Sequence, residues 1–400
     1  LAEKHNVRRN NLNWKQIDSL CFLSKNLYNA SLYTIKQHYQ ETGKVLRYNT
    51  LEKIMRDNEN YSLLPNNTSQ QILMLLDKNI KSYFELLRKW KKNNKSLNGC
   101  PKFPKFKDKI KGRNILVFTS NQFKIKRNEV HFPKKTKLKP IKTRVFESKI
   151  AHVRIVPQSD SYKIEIVYEK AEKECIKIEK WSSIDLGLNN LAVIALEKPI
   201  IINGRPLKSI NQYYNKQRAK IQSQLEKNHG KKSSRKLTRL TSKRNNKIED
   251  YLHKSSRIVV DCLVKNNVSD LVVGYNKEWK QDINIGKRNN QNFVQIPFYK
   301  YIQMLEYKCK LEGIGFHTRE ESYTSKCSAL DREEVRKHDT YLGRRVKRGM
   351  FKSSKGIRIN ADLNGALNIL RKETGDKAEA ILQTLSSRGQ VVWPATVNLC

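Results

Sequence analysis

Acidic residues are scarce in this chain. Its 400 residues carry 38 Asp and Glu against 80 Lys and Arg, a formal net charge of +42. A surface so short of carboxylates repels itself until a polyanion neutralises it, and nucleic acid is the partner that this charge predicts. Long apolar runs are also missing. None approaches the roughly 18 residues that a membrane span requires, and no signal-peptide pattern opens the sequence. No membrane partner is therefore expected, and a cytoplasmic protein, nucleoid-associated when bound to DNA, is. The first residue is Leu1 rather than Met, which leaves room for a start upstream. Paired cysteines are the third absence. Cys21, Cys100, Cys175, Cys262, Cys309, Cys327 and Cys400 are scattered with no C-x-x-C anywhere, which argues against both a disulfide scaffold and a zinc ribbon.

What is present divides into an α-rich, a β-rich and a mixed portion. Trp14, Ile17, Leu20, Leu23, Leu27, Tyr28 and Leu32 recur at helical spacing, as do Ile72, Leu75, Leu76, Ile80, Tyr83 and Leu86. A shorter helix is predicted over 49–57, and the helical module spans about 13–92. The prolines of Pro101-Lys-Phe-Pro-Lys-Phe106 end it. Short, partly alternating strands follow over about 114–170, consistent with a small β-barrel. A second body starts near 181. It shows three strands (183–185, 191–196, 199–202), a basic helical insertion (208–266), a strand (269–274), a helix (297–312), a strand (314–321), a basic loop (331–358) and a helix (361–371). That order fits an RNase H-type α/β sheet. Residues 372–400 carry no fold signal and read as a C-terminal tail. The expected class is α+β multidomain, with domains at 1–180 and 181–371.

Two segments carry chemistry. Ser183-Ile-Asp185-Leu-Gly187 reads as a buried strand ending in a carboxylate and a glycine, and Ile359-Asn-Ala-Asp362-Leu-Asn-Gly places an aspartate in the first turn of a helix. A nuclease that works through two divalent cations needs such carboxylates converging from distant parts of the chain. The bland alternatives are a solvated strand-end acid for Asp185 and a dipole-stabilised helix start for Asp362.

Ser183-Ile-Asp185-Leu-Gly187-Leu-Asn-Asn-Leu-Ala-Val, His253-Lys-Ser-Ser-Arg257, Tyr323-Thr-Ser-Lys326-Cys and Asn360-Ala-Asp362-Leu-Asn-Gly-Ala-Leu-Asn368 together resemble the OrfB/TnpB family of insertion-sequence-encoded, RNA-guided nucleases. Pro101–Phe106 belongs to the same pattern. The resemblance implies a helical recognition module inserted into a wedge-like barrel, then a RuvC nuclease domain with Asp185 and Asp362 as its first and last catalytic aspartates. It implies two Mg²⁺ ions as cofactor. It also implies two partners, a guide RNA from the element's own end and target double-stranded DNA bearing a short flanking motif.

The sequence departs from the family in two places. The glutamate expected at the end of the fourth strand is replaced by Gly274 in Asp270-Leu-Val-Val-Gly274. Either the nuclease is dead or another carboxylate has taken the place. Glu321, closing the neighbouring strand, is the natural candidate, because strands lie roughly 4.8 Å apart and a glycine leaves room for a side chain from next door. Glu320 and Glu278 are the alternatives, and Glu320 and Glu321 cannot both face the same side. The second departure is zinc. Only Cys327 stands where relatives carry C-x-x-C pairs, and one Cys with His338 cannot close a tetrahedral site. No zinc is expected. The loop's Arg344, Arg345, Lys347, Arg348 and Lys352 either hold the substrate strand or are simply solvated.

Nucleic-acid contacts are expected from Lys102, Lys105 and Lys107 on phosphate, and from Lys231, Lys232, Arg235, Lys236, Arg239, Lys243 and Arg244 on RNA or a guide–target hybrid. Asn26, Tyr28, Asn29, Tyr33 and Gln37 share a predicted helix and are of types that read base edges. The expected activity is a Mg-dependent, RNA-guided DNA endonuclease with Asp185, Glu321 and Asp362 as catalytic metal ligands. A nuclease-inactive, RNA-guided repressor or transposition regulator is the alternative. No His-x-His and Tyr arrangement supports a strand-transfer transposase. Oligomeric state is not legible.

Overall fold

The computed structural model describes residues 1–94, 97–145, 149–230, 232–276, 291, 294–387 and 391–399. The chain forms two compact units, Leu1–Lys170 and Ala171–Cys400. The break thus falls about ten residues before the expected 180, because residues 173–176 already hydrogen-bond to Leu311 and Gly313 of the second unit.

In the first unit, β1 (Ala2–Val7) precedes helices α1 (Trp14–Thr42), α2 (Tyr48–Met55), α3 (Glu59–Ser62) and α4 (Asn66–Lys92). The apolar stripe of α1, with Ile17, Leu20, Leu27, Leu32 and Ile35 buried, packs with Ile72, Leu73, Leu76 and Ile80 of α4 in one core. Gly43 ends α1 at φ +69°, a left-handed cap that glycine takes without a Cβ penalty. Strands β2 (Leu116–Thr119), β3 (Lys124–Lys126), β4 (Glu129–His131), β5 (Ile141–Lys142), β6 (Ile150–Pro157) and β7 (Tyr162–Tyr168) follow. They form two antiparallel sheets, β1-β7-β6-β2 and β3-β4-β5, rather than one closed barrel wall. Both line the same core, through Phe118, Val153 and Ile164 of one and Val130 of the other. The strand β1 escapes sequence reading because only Val7 among its residues is buried, and it forms by pairing with β7 from the far end of the unit.

The second unit is built on a six-stranded sheet. β8 (Trp181–Leu186), β9 (Asn190–Ala195) and β10 (Ile200–Asn203) form an antiparallel meander. The basic insertion is a pair of helices, α5 (Arg205–His229) and α6 (Arg235–Lys265). Then come β11 (Asp270–Gly274), α7 (Phe298–Leu311), β12 (Gly315–Arg319), β13 (Arg344–Lys347), β14 (Met350–Lys352), β15 (Arg358–Asn360), α8 (Ala361–Thr374), α9 (Glu379–Ser386), β16 (Val391–Val392) and β17 (Ala395–Val397). The strand order is β12-β11-β8-β9-β10-β17, with β12, β11 and β8 mutually parallel.

Alternation decides which face each residue serves. Ile184, Leu186, Ile194, Leu271 and Val273 join the core with α6 and α7, whereas Val193, Ala195, Ile201 and Val272 pack with α8 and α9. Ser183 and Asp185 therefore look toward α8, and Ser183 Oγ donates to the Ala366 carbonyl at 2.6 Å to fasten that helix on β8.

Two expectations are corrected here. The basic loop 331–358 contains the hairpin β13–β14, which continues through β15 into a second sheet with β16. Residues 372–400 are not a loose tail. They supply α9 to the core, and β17 extends the main sheet beside β10 in parallel register, Ile200 against Ala395. Parallel edge strands carry only a few residues each, too short a pattern to read without their partners.

Candidate active site

Asp185 is the fifth residue of β8, opposite Val193 of β9. Its carboxylate lies against the helix that covers this face, where Gly365 makes room. A Cβ at Gly365 would stand 3.0 Å from Asp185 Oδ2. Gly187, just beyond, runs so close to the Asn190 carbonyl that a Cβ would lie 2.7 Å from it. Both glycines are needed for close approach rather than for unusual dihedrals.

Gly274 ends β11, one residue past the Val273–Ile184 pair, and so lies beside Asp185 on the same face. A Cβ on Gly274 would overlap Glu321 Oε1 and stand 2.9 Å from Glu321 Cγ and 2.5 Å from Ile369 Cδ1. The side chain of Glu321 thus occupies the space that a side chain at 274 would fill. Its backbone is set by Glu321 N–H donating to Asn276 Oδ1 at 2.9 Å. Glu320 goes the other way. Its Oε2 pairs with Lys372 Nζ at 2.8 Å and its carboxylate accepts from Ser322, and the Lys372 contact holds its carboxyl below the usual range. Glu278 lies outside the described residues.

Asp362 sits in the first turn of α8, capped by Asn360, whose side chain accepts from Asp362 N and Leu363 N. Its Oδ2 accepts from Asn190 Nδ2 at 2.6 Å, and Oδ1 lies 3.7 Å from Arg345 of β13. The three carboxylates are electrostatically linked. Burial, then the charges of Glu321 and Asp362, push the Asp185 carboxyl well above its ordinary value. Burial and the nearby Glu320 charge raise Glu321 to about 7. Among the described residues, Glu321 Oε1 is buried with no hydrogen-bond partner.

Such a donor set fits a divalent cation. A buried carboxylate oxygen without a partner costs free energy that a hard cation would recover, and mutual repulsion of like charges is relieved by the same ion. Among the described residues, no three His, Cys, Asp or Glu side chains stand together as a finished ligand set. Asp362 would have to turn from Arg345 and Asn190 to complete one.

The lobe around Cys327 is held by hydrogen bonds. Asp331 accepts from Ser328 Oγ at 2.6 Å, from Ser354 N at 2.8 Å and from Ser354 Oγ at 2.6 Å. Glu333 accepts from Ser328 N at 2.6 Å and Leu342 N at 2.9 Å. Burial alone would raise the Asp331 carboxyl, but the Ser328 and Ser354 bonds bring it below the ordinary value. Asn364 and Asn368 of α8 bind the Cys327 carbonyl at 2.8 and 2.7 Å and so tie this lobe to the helix bearing Asp362.

The basic candidates separate into two groups. Lys232, Arg235, Lys236, Arg239 and Lys243 are exposed. Arg235, Arg239 and Lys243 recur every four residues along one face of α6. Arg244 is instead spent inside the unit, on Asn211 Oδ1 and the Gln295 carbonyl, both at 2.8 Å, and over the Tyr214 ring. Lys231 lies outside the described residues. Lys102 and Lys105 are exposed, while Lys107 lies 5.1 Å over the Tyr28 ring and burial lowers its affinity for a proton. Asn29 exchanges two 2.9 Å hydrogen bonds with the Lys107 backbone, and Tyr28 OH reaches the Lys105 carbonyl. These two side chains clamp the proline-rich segment, which takes them out of the set that could read bases. Arg205 and Trp393 line a cleft together with Asp362, and neither had a usable sequence signal, one following a strand end and the other lying in the unread tail.

The chain is a mixed α/β protein with a half-buried carboxylate pair under a covering helix and a third carboxylate in that helix's first turn. Comparison with known proteins shows what the chain is similar to. Residues 165–280 match OrfB_IS605, described as a probable transposase, and residues 298–369 match the Cas12f1-like TNB domain. TnpB-like protein ORF457 of Acidianus two-tailed virus is 24% identical over 93% of this chain and 86% of its own length. TnpB-like protein MJ0751 of Methanocaldococcus jannaschii is 32% identical over 30% of this chain and 43% of its own. The fold is similar to the protein in the cryo-EM structure of a Cas12f1–sgRNA–target DNA complex, at 15% identity, TM-score 0.55, covering 89% of this chain and 82% of that one. Over these segments the chain is similar to the OrfB/TnpB family. Among the described residues, no helix is long and apolar enough to cross a membrane.

Proposed function

We propose that this protein is an RNA-guided DNA endonuclease of a transposable element, with an RNase H-like (RuvC-type) site in the second unit and RNA and target recognition shared with the first. The observation that carries this reading is the seating of Glu321 over Gly274, beside Asp185, with a buried oxygen that has no hydrogen-bond partner among the described residues. A carboxylate is costly to bury in this way unless it serves a cation. Asp185, Glu321 and Asp362 would hold two Mg²⁺ ions. The bound ions would supply the charge that makes a water nucleophilic and stabilises the departing oxygen.

The protein's own contribution is position. β8 and β11 fix Asp185 and the glycine beside it, the Asn276 bond fixes Glu321, and the Asn360 cap fixes the first turn of α8. Exposed Lys and Arg on α6 grip the phosphates of a guide RNA or its hybrid with target DNA. A short motif flanking the target is expected to be read by the protein.

The engagement of Asp362 by Arg345 favours a second reading, an RNA-guided DNA binder without cleavage. The test separates the two. The protein is purified with its co-expressed RNA, and cleavage of a matched duplex in Mg²⁺ is measured for wild type, Asp185→Ala, Glu321→Ala and Glu320→Ala. Loss in the first two variants with retention in Glu320→Ala is expected. Cleavage that survives Glu321→Ala would overturn the assignment of the third carboxylate, and duplex binding without cleavage by wild type would establish the second reading.

A further inference from the structure

Beside Asp362 the second unit opens into a cleft of about 410 Å³, within the roughly 300–1,000 Å³ of ligand clefts. Its lining includes three arginines, Arg205 at the start of α5 and Arg345 and Arg348 of the β13–β14 hairpin, against the single carboxylate of Asp362. All three arginines are exposed. The lining also includes Trp393, which is 54% exposed.

Trp393 is an uncommon choice for an open surface. Indole offers more apolar area than almost any side chain, and leaving half of it in water forfeits that stabilisation. Nor is the residue on a free end. Val391 and Val392 pair with Arg358 and Ile359 of β15, and Ala395 pairs with Ile200 of β10, its N–H donating to the Pro199 carbonyl at 3.0 Å. Strands on either side, in two different sheets, thus fix the backbone that presents the ring. A rigid aromatic face next to guanidinium groups matches one chemistry, an unpaired nucleotide with its base stacked and its phosphate ion-paired.

We propose that this cleft binds one unpaired nucleotide of a nucleic-acid strand, its base stacked on Trp393 and its phosphate held by Arg345 and Arg348. That the nucleotide adjoins the bond to be cut rests on the nuclease reading above. Its binding does not. A phosphate that draws Arg345 to itself also takes that guanidinium from Asp362, so strand binding and release of the Asp362 carboxylate are coupled.

The test uses the full-length protein in chelator, where no cleavage can occur. The probes are a short single-stranded DNA carrying 2-aminopurine, and the same length of strand without bases. Stacking on an indole quenches 2-aminopurine, so wild type is expected to quench it. Trp393→Ala is expected to abolish the quenching and to weaken the base-bearing strand roughly tenfold, leaving the baseless strand unaffected. Trp393→Phe is expected to restore most of the affinity. Arg345→Ala with Arg348→Ala should weaken both strands alike.

Quenching that persists in Trp393→Ala, or an equal loss for both strands, would overturn the stacking site. Equal melting temperatures of wild type and Trp393→Ala exclude misfolding as the cause of a loss. If stacking is found but the RNA-loaded wild type does not cut in Mg²⁺, the nuclease reading fails and the nucleotide site stands. Cutting without stacking gives the reverse.

Discussion

Gly274 and Glu321 share one volume: the space where a Cβ on Gly274 would sit is filled by the Glu321 carboxylate, with Oε1 overlapping it and Cγ 2.9 Å away. Neither residue alters alone without consequence. Gly274→Ala must displace Glu321 or Ile369, an overpacking that costs about 1–3 kcal/mol, and cleavage should fall sharply with it. Gly274→Glu should also abolish cleavage. Gly274→Glu combined with Glu321→Ala places one carboxylate on the neighbouring strand and is expected to recover part of the activity. Single-turnover cleavage and thermal melting of the three variants check this.

The titration of Glu321 gives a pH dependence of stability. Its carboxyl rises from 4.5 to about 7 in the folded chain. The folded state therefore holds the proton longer than the unfolded one, and stability contributed by the protonated form falls as pH rises from 4.5 through 7. A divalent cation binds the ionised form and reverses that trend. In chelator, the melting temperature should drop between pH 5 and 7.5 more than in Glu321→Gln, and Mg²⁺ should raise it at pH 7.5 but hardly at pH 5. A pH profile unchanged by Glu321→Gln would count against this.

The lobe around Cys327 should owe its stability to Asp331. Three hydrogen bonds converge on that carboxylate, and Asp331→Ala should cost about 2–3 kcal/mol. The Asp331 carboxyl is depressed on folding, so its contribution is present above the ordinary carboxylate range and is lost as pH falls below it. Zinc chelators should leave the melting temperature of the wild type unchanged. A drop in chelator would point to a metal at this lobe.

The exposed face of α6 should appear in the salt dependence of RNA binding. Each phosphate contact contributes roughly 0.7–0.9 to the slope of log affinity against log salt. Arg235→Glu, Arg239→Glu and Lys243→Glu together should lower the slope by about two or more. Substituting Arg244 should instead lower thermal stability, since its guanidinium is bonded within the unit. Filter binding at several salt concentrations separates the two effects.

Much of this arrangement is legible in the chain, but for uneven reasons. Ser183-Ile-Asp185-Leu alternates with a period of two, so the side of β8 facing α8 can be read directly. Long helices such as α1 and α4 announce themselves by apolar spacing repeated over many turns. β1 and β17 do not, since a strand of three to six residues carries too little pattern to be read without its partner. Tyr28, Asn29 and Arg244 look like ligand-binding residues by type. Only their partners, the Lys105 and Lys107 backbone, Asn211 and Gln295, reveal them as internal fastenings.

The sequence by itself determined the basic charge, the two aspartates, the glycine at 274 and the resemblance to the OrfB/TnpB family. Tertiary structure alone decided which of two adjacent glutamates enters the vacated space. Glu320 and Glu321 are chemically identical and both lie just past the end of β12, yet one turns to Lys372 and water and the other against Gly274. The same holds for Trp393. Its place in the cleft with Asp362 depends on two pairings, β16 with β15 and β17 with β10, the second between residues nearly half the chain apart, and no local pattern encodes it.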